Sequence, residues 1–223
     1  MNINDVKFED IGATNEDMLD QIFRRQLELM QKYHTIEEEK GFLVPLTIPL
    51  DLHDAQCQYR LKDFAWRITE EVGEAMEALR THPELRDHFD EEIADGLHFL
   101  VEFTLLAGTT PFDILPIEHG DRFIALWRCA LEDKSATRRE YIDMCVPVSR
   151  LIEALAITCN CLKNKPWKQT HMLTDVPRFR QCLQTVWYRF MELVVSAALT
   201  PQDMFTLYFR KSEVNKFRQR SNY

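Results

Sequence analysis

Apolar residues recur along this chain on a helical period, and no stretch alternates apolar with polar residues for long enough to suggest a strand. The pattern predicts helix after helix. Thr14-Asn15-Glu16-Asp17 reads as a capping box that opens a helix running to about Tyr33. A loop containing Pro45 and Pro49 follows, and then helices at roughly 54–80, 86–107, 111–131, 137–163, 177–198 and 201–217. With 223 residues, 45% of them hydrophobic, and only 6 Gly and 9 Pro, the chain fits one all-α domain (1–223) with a sizeable core.

Two acidic pairs stand out on adjacent helices, Glu71-Val72-Gly73-Glu74 and Glu92-Ile93-Ala94-Asp95. Spacing of i, i+3 puts both carboxylates of a pair on one face. If the helices pack antiparallel about a turn near Pro83, the pairs converge. Four converging carboxylates repel one another unless a cation joins them, and hard oxygen donors of this kind suit Mg²⁺. A solvated acidic face is the competing reading, since Glu70, Glu77 and Glu91 lie alongside. The setting favours the metal: all four acids fall on or beside apolar stripes that should face inward, where a carboxylate needs a partner.

A faint internal repeat appears further on. Leu106-Ala107-Gly108-Thr109-Thr110-Pro111-Phe112-Asp113 matches Ser196-Ala197-Ala198-Leu199-Thr200-Pro201-Gln202-Asp203, each an apolar helix end followed by a Thr-capped, Pro-started helix. The same register sets His98–Glu102 against Tyr188–Glu192. With a small offset, Glu71, Glu74, Glu92 and Asp95 fall opposite Ala154, Ile157, Cys182 and Thr185. The expected architecture is a multi-helix bundle of two degenerate four-helix halves. A catalytic half spans about 14–115, and a half without metal ligands, carrying the C-terminal tail, spans about 116–223. Alternatively, Thr-Pro-x-Asp is only a common way to start a helix.

A formal charge of −9 argues against a broad nucleic-acid surface. No signal peptide or run long enough to span a membrane is apparent. Six cysteines without CxxC spacing read as free thiols of a reducing cytoplasm. Against this acidic background the C-terminus gathers Arg210, Lys211, Lys216, Arg218 and Arg220. Lys211, Asn215 and Arg218 share one helical face and could offer an ammonium, an amide and a guanidinium to phosphate oxygens. A helix end whose macrodipole is complemented by basic residues would look the same. Trp127, Trp187 and Phe190 read as core. A buried, satisfied His98 is the simpler reading of that residue, the other being a group that orients a ligand. Trp167, flanked by lysines in a Pro-containing loop, could stack on a base or belong to a surface cluster.

Taken together, the segments resemble the all-α nucleoside triphosphate pyrophosphatase (MazG-like) superfamily. The likeness is closest to its dimeric dUTPase branch and, within that, to phage-type dCTP/dUTP pyrophosphatases. The resemblance rests on Glu-x-x-Glu followed by Glu92-x-x-Asp95-x-x-His98-Phe99, and on a terminal Lys211-x3-Asn215-x2-Arg218-Gln219 segment ending Asn222-Tyr223, where the family has Gly-Tyr. It implies Mg²⁺ held by Glu71, Glu74, Glu92 and Asp95, with Glu71 as general base. It implies phosphate contacts from Lys211, Asn215, Arg218, Gln219 and Tyr223. The first helix should help cradle the base through Gln26 and the position of Met30, where many dUTPases carry Asn. The family's Trp-Lys-rich stretch between the acidic pairs is absent, and Trp167 and Lys168 are candidate stand-ins.

The implied activity is Mg²⁺-dependent hydrolysis of a pyrimidine deoxynucleoside triphosphate, dUTP with dCTP as a second candidate, to the monophosphate and pyrophosphate. The enzyme would be a homodimer in the cytoplasm, that of a host if phage-encoded. It would take a nucleotide as its partner, and neither nucleic acid nor membrane. A broader housecleaning pyrophosphatase and a non-enzymatic helical interaction protein are the alternatives.

Overall fold

A computed structural model describes residues 16–41, 43–132, 141–165 and 167–220. Among them lie eight helices and no strand: α1 (Met18–Glu39), α2 (Ala55–Thr81), α3 (Arg86–Leu106), α4 (Pro111–Ile114), α5 (Arg122–Glu132), α6 (Tyr141–Cys161), α7 (Val176–Ser196) and α8 (Pro201–Arg220). The all-α expectation is met.

Local chemistry explains most boundaries. The Asp17 carboxylate caps α1 by accepting from the Leu19 N–H at 2.8 Å, and its other oxygen accepts from Arg122 at the start of α5. Thr14 and Asn15 of the expected capping box lie outside the described residues. α1 runs past Tyr33 to Glu39 and ends before Gly41, which adopts φ +72°. Asp54 caps α2 through the N–H groups of Gln56 and Cys57.

One expected helix is corrected. The segment 111–131 is two helices, because Pro116 drives Leu115 to extended backbone (φ −139°, ψ 102°) and Gly120 turns the chain at φ +95° before Asp121 caps α5. The helix expected at 137–163 is described only from Tyr141, as α6. Within it, Asp143–Cys161 is long and apolar enough to cross a membrane, contrary to the reading of the sequence. Met144, Leu151, Ala154 and Leu155 of this stretch are instead buried in the protein core.

The two Thr-Pro junctions fold alike. At the end of α3, Gly108 has φ +66°, and the N–H groups of Ala107, Gly108 and Thr109 donate to Phe103, Leu105 and Thr104. At the end of α7, Ala198 has φ +56°, and Ala197, Ala198 and Leu199 donate to Leu193, Val195 and Val194. Reciprocal capping boxes then open α4 (Thr110 with Asp113) and α8 (Thr200 with Asp203). At Gly108 a Cβ would meet Pro49 at 2.9 Å, so both the turn and the close approach require glycine.

The hairpins α2–α3 and α6–α7 pack through one continuous core, with Phe103, Phe179, Phe190 and Trp187 wholly buried. Trp187 donates to Thr104 at 3.0 Å, and the half-buried Trp127 donates to the Leu199 carbonyl at 2.9 Å, so the three aromatic residues read as core are packed there. Ala154, Ile157, Cys182 and Thr185, set opposite the four acids by the repeat, line one shared cavity of about 230 Å³ between α6 and α7. No carboxylate lines it.

Candidate active site

The acidic pairs meet because α2 and α3 form an antiparallel hairpin, in which residues whose numbers sum to about 166 stand level. Glu71 faces Asp95, and Glu74 faces Glu92. Contact is close, since a Cβ at Gly96 would lie 3.8 Å from that of Glu71. One carboxylate oxygen each from Glu71, Glu74 and Glu92 falls within 4.8 Å of the others. Asp95 stands beside them with its carboxylate 2.6 Å from the Lys211 ammonium, which also approaches Glu91 at 3.7 Å. Glu92 is buried and takes a 3.1 Å contact from His88.

Crowding shows in the proton affinities. Burial, reinforced by Asp95, Glu92 and Glu74, raises the Glu71 carboxyl from 4.5 to about 8. Burial raises Asp95 to about 6 against the opposing pull of Lys211. Either protons or a cation must relieve such a cluster. An all-oxygen donor set with one oxygen available from each side chain fits Mg²⁺, which keeps waters of its own and shares phosphate ligands.

The acidic cluster adjoins a cleft of about 400 Å³, whose lining includes two of its four acids. Glu71 and Asp95 line it, as do Arg67 and Phe99 one turn along the hairpin, then Phe64 and Glu102, then Arg60. Phe64 and Phe99 lie 6.3 Å apart between centroids, with the guanidinium groups of Arg60 and Arg67 over their rings. Arg60 is held in place by a two-point ion pair with Glu37. From α8, Asn215 and Arg218 close one wall, and from α1 come Gln26, Leu29 and Tyr33.

The remaining expected site residues separate. Gln26 is 3% exposed and sits at the cleft floor. Met30, one turn further along α1, is fully buried in the hydrophobic core and does not line the cleft. Gln219 donates to the Leu29 carbonyl at 3.4 Å, and Tyr223 lies outside the described residues. Trp167 and Lys168 do not line the cleft. Trp167 is 76% exposed under the Lys165 ammonium, in a loop that Asn164 pins to His53 and Gln58 near the start of α2. His98 is buried with both ring nitrogens bonded, to Gln26 at 2.9 Å and to the Tyr208 carbonyl at 3.1 Å, as the simpler reading expects.

Arg60, Arg67 and Glu102 belong to the cleft and were not singled out from the sequence. The hairpin register was the signal available, because it sets Arg67 level with Phe99 and Phe64 level with Glu102. All six cysteines are free.

No curated protein and no solved structure matches the chain. A family profile described as dUTPase matches residues 71–223, beginning on the first metal-ligand candidate and including all four acids and the whole basic C-terminus. With this match over more than half its length, the chain belongs to the dUTPase family of all-α nucleotide pyrophosphatases.

Proposed function

We propose that this protein hydrolyses pyrimidine deoxynucleoside triphosphates, dUTP and dCTP, to the monophosphate and pyrophosphate in a Mg²⁺-dependent reaction. The observation that carries the reading is the juxtaposition, in one cleft, of a carboxylate cluster, a phosphate-type wall and an aromatic shelf. Mg²⁺ held by Glu71, Glu74, Glu92 and Asp95 would neutralise phosphate oxygens and acidify the attacking water. Glu71, which lines the cleft beside Asp95, would accept the proton of the water that attacks the α-phosphorus, the role that the family resemblance implies for it. As the bond between the α-phosphorus and the bridging oxygen breaks, charge collects on the leaving pyrophosphate. Lys211, Asn215, Arg218, Gln219 and Tyr223 complement that charge, and Arg67 lines the same cleft as Asn215 and Arg218. The base lies on Phe64 and Phe99, with Gln26 at its edge.

The working unit is a cytoplasmic homodimer. The reading gains support from exposed apolar side chains: Leu43 and Tyr59 line a groove with Val44, Pro45 and Ala55, and Trp66 lies one heptad beyond Tyr59 on α2. A pyrophosphate-release screen of the purified protein against each dNTP and NTP, with and without Mg²⁺, tests the activity. Metal-dependent turnover confined to pyrimidine deoxynucleotides is expected. Equal rates across all bases would favour a housecleaning pyrophosphatase, and no turnover would overturn the assignment.

A further inference from the structure

Resting on the pyrimidine nucleotide reading above, the floor of the cleft makes a finer commitment. Glu102 is 7% exposed, yet it lines the cleft. One of its carboxyl oxygens lies 3.1 Å from the Gln26 amide, and the other has no hydrogen-bond partner among the described residues. It stands on α3 two turns beyond Asp95, about 10 Å at the helical rise, the span of a sugar and a base from the metal end.

Hydrogen-bond direction fixes the proton. The Nε2 of His98 faces the backbone carbonyl of Tyr208, which can only accept, so that nitrogen carries hydrogen. His98 is only 5% exposed, at the edge of the cleft, and burial lowers its pKa to about 3, so the ring is neutral and Nδ1 presents a lone pair. The Gln26 amide group 2.9 Å away must therefore turn its NH₂ toward His98. Its second N–H serves the Tyr208 hydroxyl at 2.7 Å, whose own hydrogen goes to the Ile22 carbonyl at 3.2 Å. The oxygen and nitrogen of an amide share one outline, and this orientation satisfies every neighbour at that end. It leaves the amide oxygen facing Glu102, so Glu102 has to donate.

We infer that Glu102 acts as a neutral acid, its proton given to Gln26 and its bare carbonyl oxygen turned to the cleft. The Gln26 oxygen beside it makes the floor a pair of acceptors that selects a pyrimidine bearing an exocyclic amino group, a cytosine-type base, over uracil. A keto oxygen at the same position would face acceptors without a hydrogen between them, an arrangement that a desolvated site penalises heavily. Burial raises the Glu102 carboxyl to about 7 even with Arg60, a Gln26 N–H donor and Arg67 pulling it down and Glu37 pushing it up; with the Gln26 oxygen turned to Glu102 the pull of that donor is gone.

The experiment compares kcat/KM for dCTP and dUTP in the Mg²⁺-loaded wild type, Glu102→Leu and Glu102→Gln, with infrared difference spectra of wild type against Glu102→Gln. The wild type is expected to favour dCTP by about tenfold or more, the scale of one hydrogen bond made or refused. Glu102→Leu brings the ratio toward unity. Glu102→Gln restores it, because its NH₂ replaces the acid O–H toward Gln26 and its carbonyl replaces the acceptor. The infrared difference contains a carboxylic-acid C=O band lost in the Gln variant. Should the Leu variant not fold, the wild-type ratio, the Gln variant and the band decide. Turnover with a dUTP preference, a ratio unmoved in Glu102→Leu, or no carboxylic-acid band overturns the base reading alone. A protein that hydrolyses neither nucleotide overturns the activity and the base reading together.

Discussion

At the scale of single residues, the acids do two opposed things: they gather a cation and they strain the protein without it. Glu74→Gln or Asp95→Asn should reduce turnover by about 10²-fold or more, the scale on which a group aimed at developing charge acts. Steady-state kinetics with saturating Mg²⁺ checks this. The two variants part company in stability. Glu74→Gln removes one repelling charge from the cluster and should raise the melting temperature of the metal-free protein. Asp95→Asn also dismantles the 2.6 Å pair with Lys211, so the same gain is not expected there. The four acids were legible in the sequence because i, i+3 spacing on an apolar stripe survives without knowledge of the fold. Glu102 was not, because its meaning depends on Gln26, 76 residues away, and on the proton direction set by Tyr208 from the other end of the chain.

At the scale of elements, α8 joins the two ends of the site. It reaches the acids through Lys211 and the cleft wall through Asn215 and Arg218, and it is tied to α1 by the pairing of Arg25 with Glu213. Deleting residues 218–223 should raise KM and lower kcat, costing roughly 2–5 kcal/mol of transition-state stabilisation if charge-assisted phosphate contacts are lost. Lys211→Ala should act in the same direction but more weakly. Isothermal titration of Mg²⁺ into the truncated protein should show metal binding intact, and full catalytic efficiency would remove the phosphate role from this helix. Helix existence was readable throughout from periodicity and caps. The division of 111–131 was missed because an amphipathic pattern continues across Pro116 and Gly120, whose backbone demands override it. The pairing of Lys211 with Asp95 could not be read either, since it needs the packing of α8 on α3.

For the whole molecule, assembly and metal-linked stability follow from surfaces and charges that no single element explains. Tyr59 and Trp66, one heptad apart on one face of α2, are 66% and 61% exposed, and Tyr59 lines a groove with the fully open Leu43. A dimer covering this face should become monomeric by light scattering in Trp66→Glu, and an unchanged mass would move the interface elsewhere. Metal-linked stability makes the more quantitative demand. Glu71 is raised from 4.5 to about 8 in the folded protein, so between those values the native state holds a proton that the unfolded chain has released. Stability from that group is complete below about 4.5 and is lost as pH rises toward 8. Glu102, raised to about 7, carries the same sign. His98 opposes them: lowered from 6.5 to about 3, it lets stability grow as pH rises, and that growth ends near 6.5. The clean window is therefore pH 6.5 to 8, where the acids act and His98 has finished titrating. Metal-free protein should lose stability across it in denaturant melts. Mg²⁺, which binds the deprotonated cluster, should stabilise by an increment that grows with pH over the same interval. A Mg²⁺ increment independent of pH there would mean that the cation binds without displacing the Glu71 proton, and the cluster would then not be the metal site.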